Sequence, residues 1–266
     1  MISHVDHKPN RGLFQEIADF WSAQLNNEIF LRDHPSISRG SKDYFDIILA
    51  ARRRFIYYFP SMIAFLKPSP SGKLLEVGCG MGTDAFVFAR EGFRVIGIDL
   101  ASAHLELAKQ LFSLYGMRGD FALGNAEELP FPSGRFGAAY SFGVLHHTPD
   151  TGRAIREIHR VLEPGGRAVL MLYHRHSINN FIHGVTGKGF ENARQEKGKG
   201  TADAPVTQRF SKSEVLGMCS EFKHARICTE YVYGAGWGKV YQLTPKPVYD
   251  LLSKVLGWHL VIYLQK

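Results

Sequence analysis

Glu76-Val77-Gly78-Cys79-Gly80-Met81-Gly82 is the stretch that decides the fold. Lys73-Leu74-Leu75-Glu76-Val77 reads as a short apolar strand, and a helical pattern over about 84–91, closed by Gly92, follows the glycines. Glycines at 78, 80 and 82 let the backbone bend tightly and approach a ligand with no Cβ in the way. Arg94–Asp99 is a second strand, and it ends in a carboxylate. An acid at that place accepts hydrogen bonds from a ribose diol, so the turn and Asp99 together want a nucleoside. A dinucleotide turn reads G-x-G-x-x-G. Here the third glycine, Gly82, comes one residue early and Thr83 fills the slot.

The same alternation continues along the chain. A helix over 102–115, with Ser102 as its expected N-cap, precedes a strand near 119–123. A strand over 135–142 and a helix over 151–162 follow, the helix ended by Pro164-Gly165-Gly166. Residues 167–172 form an apolar fifth strand. Ser211 and Glu214 make a capping box for a helix over 211–222, and strands over 225–233 and 258–264 complete the set. Strands alternating with helices predict an α/β fold, a doubly wound and mostly parallel sheet of seven strands. Upstream, Leu13, Phe14, Ile17, Phe20, Trp21, Leu25 and Ile29 share one face of a helix over 11–31. An aromatic-rich helix runs over 42–66, ended or kinked by Pro60, before a linker at 68–72. Residues 1–72 therefore read as an N-terminal helical region. Residues 73–266 read as the α/β domain, with insertions at about 174–205 and 234–257. The stretch from Gly187 to Gly200 has the look of a mobile lid.

The chain has 266 residues, 45% of them hydrophobic and 21% charged, enough apolar material for a sizeable core and too much for a disordered chain. Its net charge of +7 is spread out, with Arg52-Arg53-Arg54 the sharpest cluster. A nucleic-acid footprint is normally a concentrated basic stripe, so the charge argues against such a partner. Cys79, Cys219 and Cys228 offer neither a disulfide frame nor zinc spacing, which fits a reducing compartment. No run reaches the 18–20 apolar residues of a membrane span and no apolar signal core opens the chain, so the expectation is a cytoplasmic protein.

Four blocks at these spacings resemble the class I S-adenosylmethionine-dependent methyltransferases, within them the small-molecule group that includes ubiquinone and menaquinone methyltransferases. They are Leu75–Gly82; Gly97-Ile98-Asp99-Leu100; Asn125-Ala126-Glu127-Glu128-Leu129-Pro130-Phe131; and Val161-Leu162-Glu163-Pro164-Gly165-Gly166. The resemblance implies a Rossmann-like fold, S-adenosyl-L-methionine as cofactor and a small-molecule substrate. It implies that Gly78, Cys79, Gly80 and Gly82 face the cofactor and that Glu76 organises the turn or reaches the cofactor's amino group. Asp99 would hold the ribose, with Leu100 packed on adenine. Asn125, Ala126 and Glu127 would frame the adenine edge, with Asn125 where the family usually has Asp. Cys79 itself reads as a small buried hydrophobe.

Methyl transfer needs alignment of nucleophile, methyl and sulfur, and removal of a proton when the nucleophile carries one. The candidates follow strands four and five, because ligands lie beyond the carboxyl ends of such a sheet. His146 is the expected general base and His147 the expected structural partner; Tyr173 and His174 are expected to enter the same pocket. Ser141-Phe142-Gly143-Val144 stands where methyltransferases acting on bases carry Asn/Asp-Pro-Pro-Tyr, and Ser141 is counted with the cofactor site. No Asp-rich metal site is visible. The N-terminal helices would form a lid, with Tyr44, Tyr57 and Tyr58 offered as lining. Competing readings are an RNA methyltransferase, a nicotinamide-dependent oxidoreductase and a non-catalytic S-adenosylmethionine-binding protein.

Overall fold

Leu74 and Leu75 enter different cores from the two faces of one strand, β1 (Lys73–Val77). The computed structural model describes residues 11–186, 204–233 and 239–266. Successive side chains of a strand alternate between faces. The alternation recurs in β4 (Phe136–Phe142), where Tyr140 joins one core and Ala139 the other. It recurs in β7 (His259–Gln265), where Val261 and Tyr263 face away from Leu260, Ile262 and Leu264. Both faces of the sheet are therefore covered, which is why its strands read as continuous apolar runs.

The seven strands lie in the order β3-β2-β1-β4-β5-β7-β6. The remaining ones are β2 (Arg94–Asp99), β3 (Asp120–Leu123), β5 (Leu162–Tyr173) and β6 (His224–Glu230). The β1–β2, β2–β3, β1–β4 and β4–β5 pairings are parallel, and β7 runs antiparallel to both β5 and β6. The order departs from β1 in both directions, so the switch point lies between β1 and β4. Ligands bind at such a point, outside the carboxyl ends of the strands.

One face carries α4 (Thr83–Arg90) and α5 (Ser102–Leu114), together with the N-terminal helices α2 (Lys42–Phe55) and α3 (Phe59–Leu66); α6 (Thr151–Val161) and α8 (Lys212–Met218) cover the other. The seventh helix, α7 (Ile178–Thr186), lies between β5 and α8 in the chain.

The elements differ from expectation in instructive places. The helix expected over 11–31 stops as α1 (Arg11–Ala23), and Asn26–Leu31 is a separate 3₁₀ turn. Pro60 sits in the first turn of α3, where its missing N–H costs nothing. Ser102 is the first residue of α5, not its cap. The capping box of Ser211 and Glu214 forms as expected. The 234–257 insertion contains α9 (Lys239–Leu243) and α10 (Lys246–Leu256), both unannounced by the sequence reading. The Gly187–Gly200 stretch expected to be a lid lies outside the described residues. Among the described residues no helix is long and apolar enough to cross a membrane.

Candidate functional site

The glycine turn builds the floor of the site. Gly78 and Gly82 adopt φ of +73° and +75°, in the left-handed region that glycine tolerates best. A Cβ on Gly78 would collide with the Val144 side chain, and one on Gly82 would fall 2.9 Å from Ala108 Cβ. Gly80 differs: the one atom near its absent Cβ is His104 Nδ1, at 3.9 Å. Its bare backbone faces open space.

That space is a cleft, open to solvent, at the β1–β4 switch point. Glu76 through Met81 bring the turn to it, Asp99 and Leu100 the end of β2, and Gly124 and Ala126 the loop after β3. Phe142 ends β4, and Gly143, Val144, His147 and Thr148 come from beyond it. From the N-terminal helices come Ile17, Trp21, Asn27 and Arg52. A large, mostly apolar concavity with a few convergent polar groups has the character of a ligand site.

The polar groups fall into three sets. Asp99 closes the turn on itself: Gly80 N–H donates to its Oδ2 (2.8 Å) and Ala101 N–H to its Oδ1 (2.9 Å). Beneath them, Arg52 grips Asp84 with two bonds, Nε to Oδ1 at 2.9 Å and Nη2 to Oδ2 at 2.7 Å. Tyr140 OH also donates to Asp84 Oδ2, and the guanidinium lies over the Phe142 ring at 4.8 Å. Burial is the largest single influence and lowers the Arg52 pKa, but the Asp84 charge and hydrogen bonds, with Tyr140 and Glu76 nearby, together outweigh it and hold the guanidinium ionised.

Glu76 is the third. It is 4% exposed, and its Oε2 is buried without a hydrogen-bond partner. Burial, then the nearby Asp84 charge, pushes its pKa well above the usual carboxylate range. A buried carboxylate oxygen with no donor, on the wall of a cavity, calls for a cation or an N–H donor there.

The two adjacent histidines differ in their access to the cavity. Leu145–His147 is a 3₁₀ turn in which the two rings stay in contact, 4.2 Å apart, but only His147 reaches the cavity wall. His146 is fully buried, outside the cavity lining, and packed on Tyr173 at a ring separation of 3.8 Å. His147 lines the cavity and meets Trp21 edge-on at 5.0 Å. Its Nδ1 lies 2.8 Å from the Val206 carbonyl oxygen, which can only accept. The proton therefore sits on Nδ1, and Nε2 keeps a lone pair. Burial lowers the His147 pKa to about 4, so the ring is neutral near pH 7.

Tyr173 and His174, expected in the same pocket, do not line it. Tyr173 is sandwiched between His146 and Trp258, and His174 Nδ1 is tied to the Gly257 carbonyl at 2.9 Å. Tyr44, Tyr57 and Tyr58 are likewise spent on structure, bonding Glu28, Glu230 and His259.

The expected cofactor residues divide. Glu76, Gly78, Cys79, Gly80, Asp99, Leu100 and Ala126 all line the cavity. Gly82, Asn125, Glu127 and Ser141 do not. Asn125 Oδ1 accepts from Glu127 N–H, Glu127 Oε1 accepts from Asp150 N–H, and Ser141 Oγ donates to the Val77 carbonyl. These side chains hold the loops that shape the site. Cys79 is 5% exposed and its thiol pKa is raised well above normal by burial, then by the Glu76 and Asp99 charges, so it is an inert hydrophobe. Trp21, Asn27, Arg52, His104 and His147 were not among the expected site residues. No group of three or more His, Cys, Asp or Glu that could hold a metal occurs among the described residues.

Residues 75–170 match the family described as a methyltransferase domain. The chain is 36% identical over 113 residues to the 2-phytyl-1,4-naphtoquinone methyltransferase of Synechococcus elongatus, covering 40% of this chain and 48% of that protein. It is 34% identical over 152 residues to a ubiquinone biosynthesis O-methyltransferase of Pseudomonas aeruginosa, covering 56% and 62%. The matched stretches thus span less than two thirds of either relative. The geranyl diphosphate C-methyltransferase of Streptomyces coelicolor A3(2), solved with Mg2+, geranyl diphosphate and S-adenosyl-L-homocysteine, superposes with a TM-score of 0.60 at 14% identity, covering 97% of this chain and 98% of that one. The shared architecture is the Rossmann-like fold of the class I methyltransferases.

Proposed function

We propose that this chain, whose residues 75–170 match a methyltransferase domain, is a class I enzyme that transfers a methyl group from S-adenosyl-L-methionine to O, N or C of a small metabolite. One observation carries the reading: the unpaired Glu76 Oε2 and the bare Gly80 backbone face the same cavity that Asp99 closes. The residues present fit the cofactor. Glu76 would accept from its ammonium group, Asp99 from its ribose, and Leu100 and Ala126 would flank its adenine. When bound, S-adenosylmethionine would supply an electrophilic methyl on a sulfonium, and the neutral thioether it leaves behind needs no acid to depart.

The chain's own residues then have two tasks. Ile17, Trp21, Phe142 and Val144 exclude water and confine the acceptor beside Gly78–Gly80. Where the nucleophile carries a proton, His147 Nε2 takes it, with Nδ1 held by Val206 so that the correct nitrogen is free. The N-terminal helices, through Ile17, Trp21, Asn27 and Arg52, act as the lid over this reaction space.

We place the protein in the cytoplasm, supported by its three free cysteines. A small molecule is the favoured acceptor and nucleic acid is not, because the cavity offers apolar walls and the one arginine among its described lining residues is neutralised by Asp84. The test is methyl transfer from radiolabelled S-adenosylmethionine across a panel of hydroxylated quinones, phenols and amines. Label in at least one product supports the proposal. Cofactor binding without label in any product would leave a binding protein instead.

A further inference from the structure

His104 lies on the first turn of α5, 7% exposed, and lines the cavity. Its Nε2 lies 3.3 Å from the Gln24 carbonyl oxygen. A carbonyl only accepts, so Nε2 carries the proton and Nδ1 is left as an acceptor. That Nδ1 is buried and has no hydrogen-bond partner. It sits 3.7 Å from Asp99 Oδ1, itself an acceptor. It is also the nearest atom to the empty side of Gly80. Asp99 spends one bond per oxygen on the Gly80 and Ala101 N–H groups and keeps further lone pairs. The corner therefore gathers acceptors from two side chains and no side-chain donor to satisfy them.

A vicinal diol is the group that fits: two O–H donors on adjacent carbons, reaching two neighbouring acceptors. We propose that His104 is a second recognition residue for the nucleoside ribose, Nδ1 accepting from one hydroxyl while Asp99 accepts from the other. The assignment rests on the cofactor reading above and deepens it. The sequence gives this role to Asp99 alone; the histidine is added by the fold. Gln24 lies just beyond the end of α1, so the residue that aligns His104 belongs to the N-terminal helical region. The ribose contact and the lid thus share one imidazole. His104 would make the site prefer ribonucleosides to the deoxy analogue that lacks its hydroxyl.

Calorimetric binding of S-adenosylhomocysteine and of its 2′-deoxy and 3′-deoxy analogues, to the parent protein, His104→Leu and His104→Gln, tests this. His104→Leu should weaken the full ligand by about tenfold, the size of one buried hydrogen bond. It should leave the affinity for one of the two deoxy analogues unchanged. His104→Gln, which keeps an acceptor, should recover part of the loss. A His104→Leu protein that melts normally yet binds all three ligands as the parent does, or loses all three equally, overturns the assignment while leaving the cofactor reading intact. A parent protein that binds none of the three overturns both. In the free parent, nitrogen NMR of the imidazole should show the proton on Nε2; a proton on Nδ1 would also overturn it.

Discussion

Arg52 Nη2 lies 2.7 Å from Asp84 Oδ2, joining the N-terminal helix α2 to the helix that follows the glycine turn. Both side chains are largely withdrawn from solvent, at 17% and 4% exposure. The pair is what fastens the proposed lid to the cofactor turn. Removing one partner leaves a buried charge uncompensated. Arg52→Met should destabilise the fold by about 3–5 kcal/mol. Arg53→Ala, at an exposed neighbour, should cost within about 0.5 kcal/mol. Urea denaturation of both variants checks the contrast, and equal stabilities would deny the pair its role.

His147 and His146 separate by kinetics. His147→Ala should lower kcat by about 10²–10⁴ if the acceptor carries a proton, with cofactor affinity retained. His146→Ala should show its effect first in thermal stability, because the ring is fully buried and packed on Tyr173. At saturating cofactor the acid limb of kcat should lie below 6.5, toward the lowered His147 value of about 4. A limb at 6.5 would contradict the assignment.

Stability should also depend on pH in a defined window. Burial lowers His147 to about 4 and His259 to about 3, and lowers His146 well below its ordinary 6.5. The folded state keeps these rings neutral, whereas the unfolded chain protonates them below about 6.5. The unfolded state thus binds more protons as pH falls, and stability drops. The three rings together contribute up to about 4 kcal/mol per pH unit below 6.5, on a scale of about 1.4 per proton, offset in part by Glu76, whose raised pKa keeps on the folded state a proton the unfolded chain has lost. Melting temperatures across pH 4–8 read this out. His259→Gln should flatten the dependence.

Cofactor binding should release a proton from Glu76. Burial and the Asp84 charge keep the free carboxyl protonated above its usual range, and an ammonium group beside Oε2 favours the ionised form. Affinity for S-adenosylmethionine should then rise with pH below the raised Glu76 value. Calorimetry in two buffers of different ionisation enthalpy should report the released proton, and Glu76→Gln should abolish it. Binding without proton exchange would place the ammonium elsewhere.

The β1–turn–α4 unit was legible because a five-residue apolar strand, three glycines and a terminal acid each leave a local signature. The site residues brought in from a distance were not. Arg52 is 32 positions from Asp84, and nothing local marks the partner. Which of the two adjacent histidines reaches the cavity was not legible, because it depends on the packing of His146 against Tyr173, itself packed on Trp258. His104 carries no local mark within the helix expected over 102–115. Its meaning depends on the Gln24 carbonyl, which arrives only because α1 ends at Ala23 instead of running on to Leu31 as the apolar spacing predicts.

The most direct measurement is titration of S-adenosylmethionine into the parent protein and into Asp99→Ala. One site per chain is predicted, with affinity reduced in the variant by roughly 2–4 kcal/mol, which is about 30- to 1000-fold, for the loss of charge-assisted bonds. No binding to the parent at millimolar cofactor, or equal affinity in parent and variant, would contradict the account.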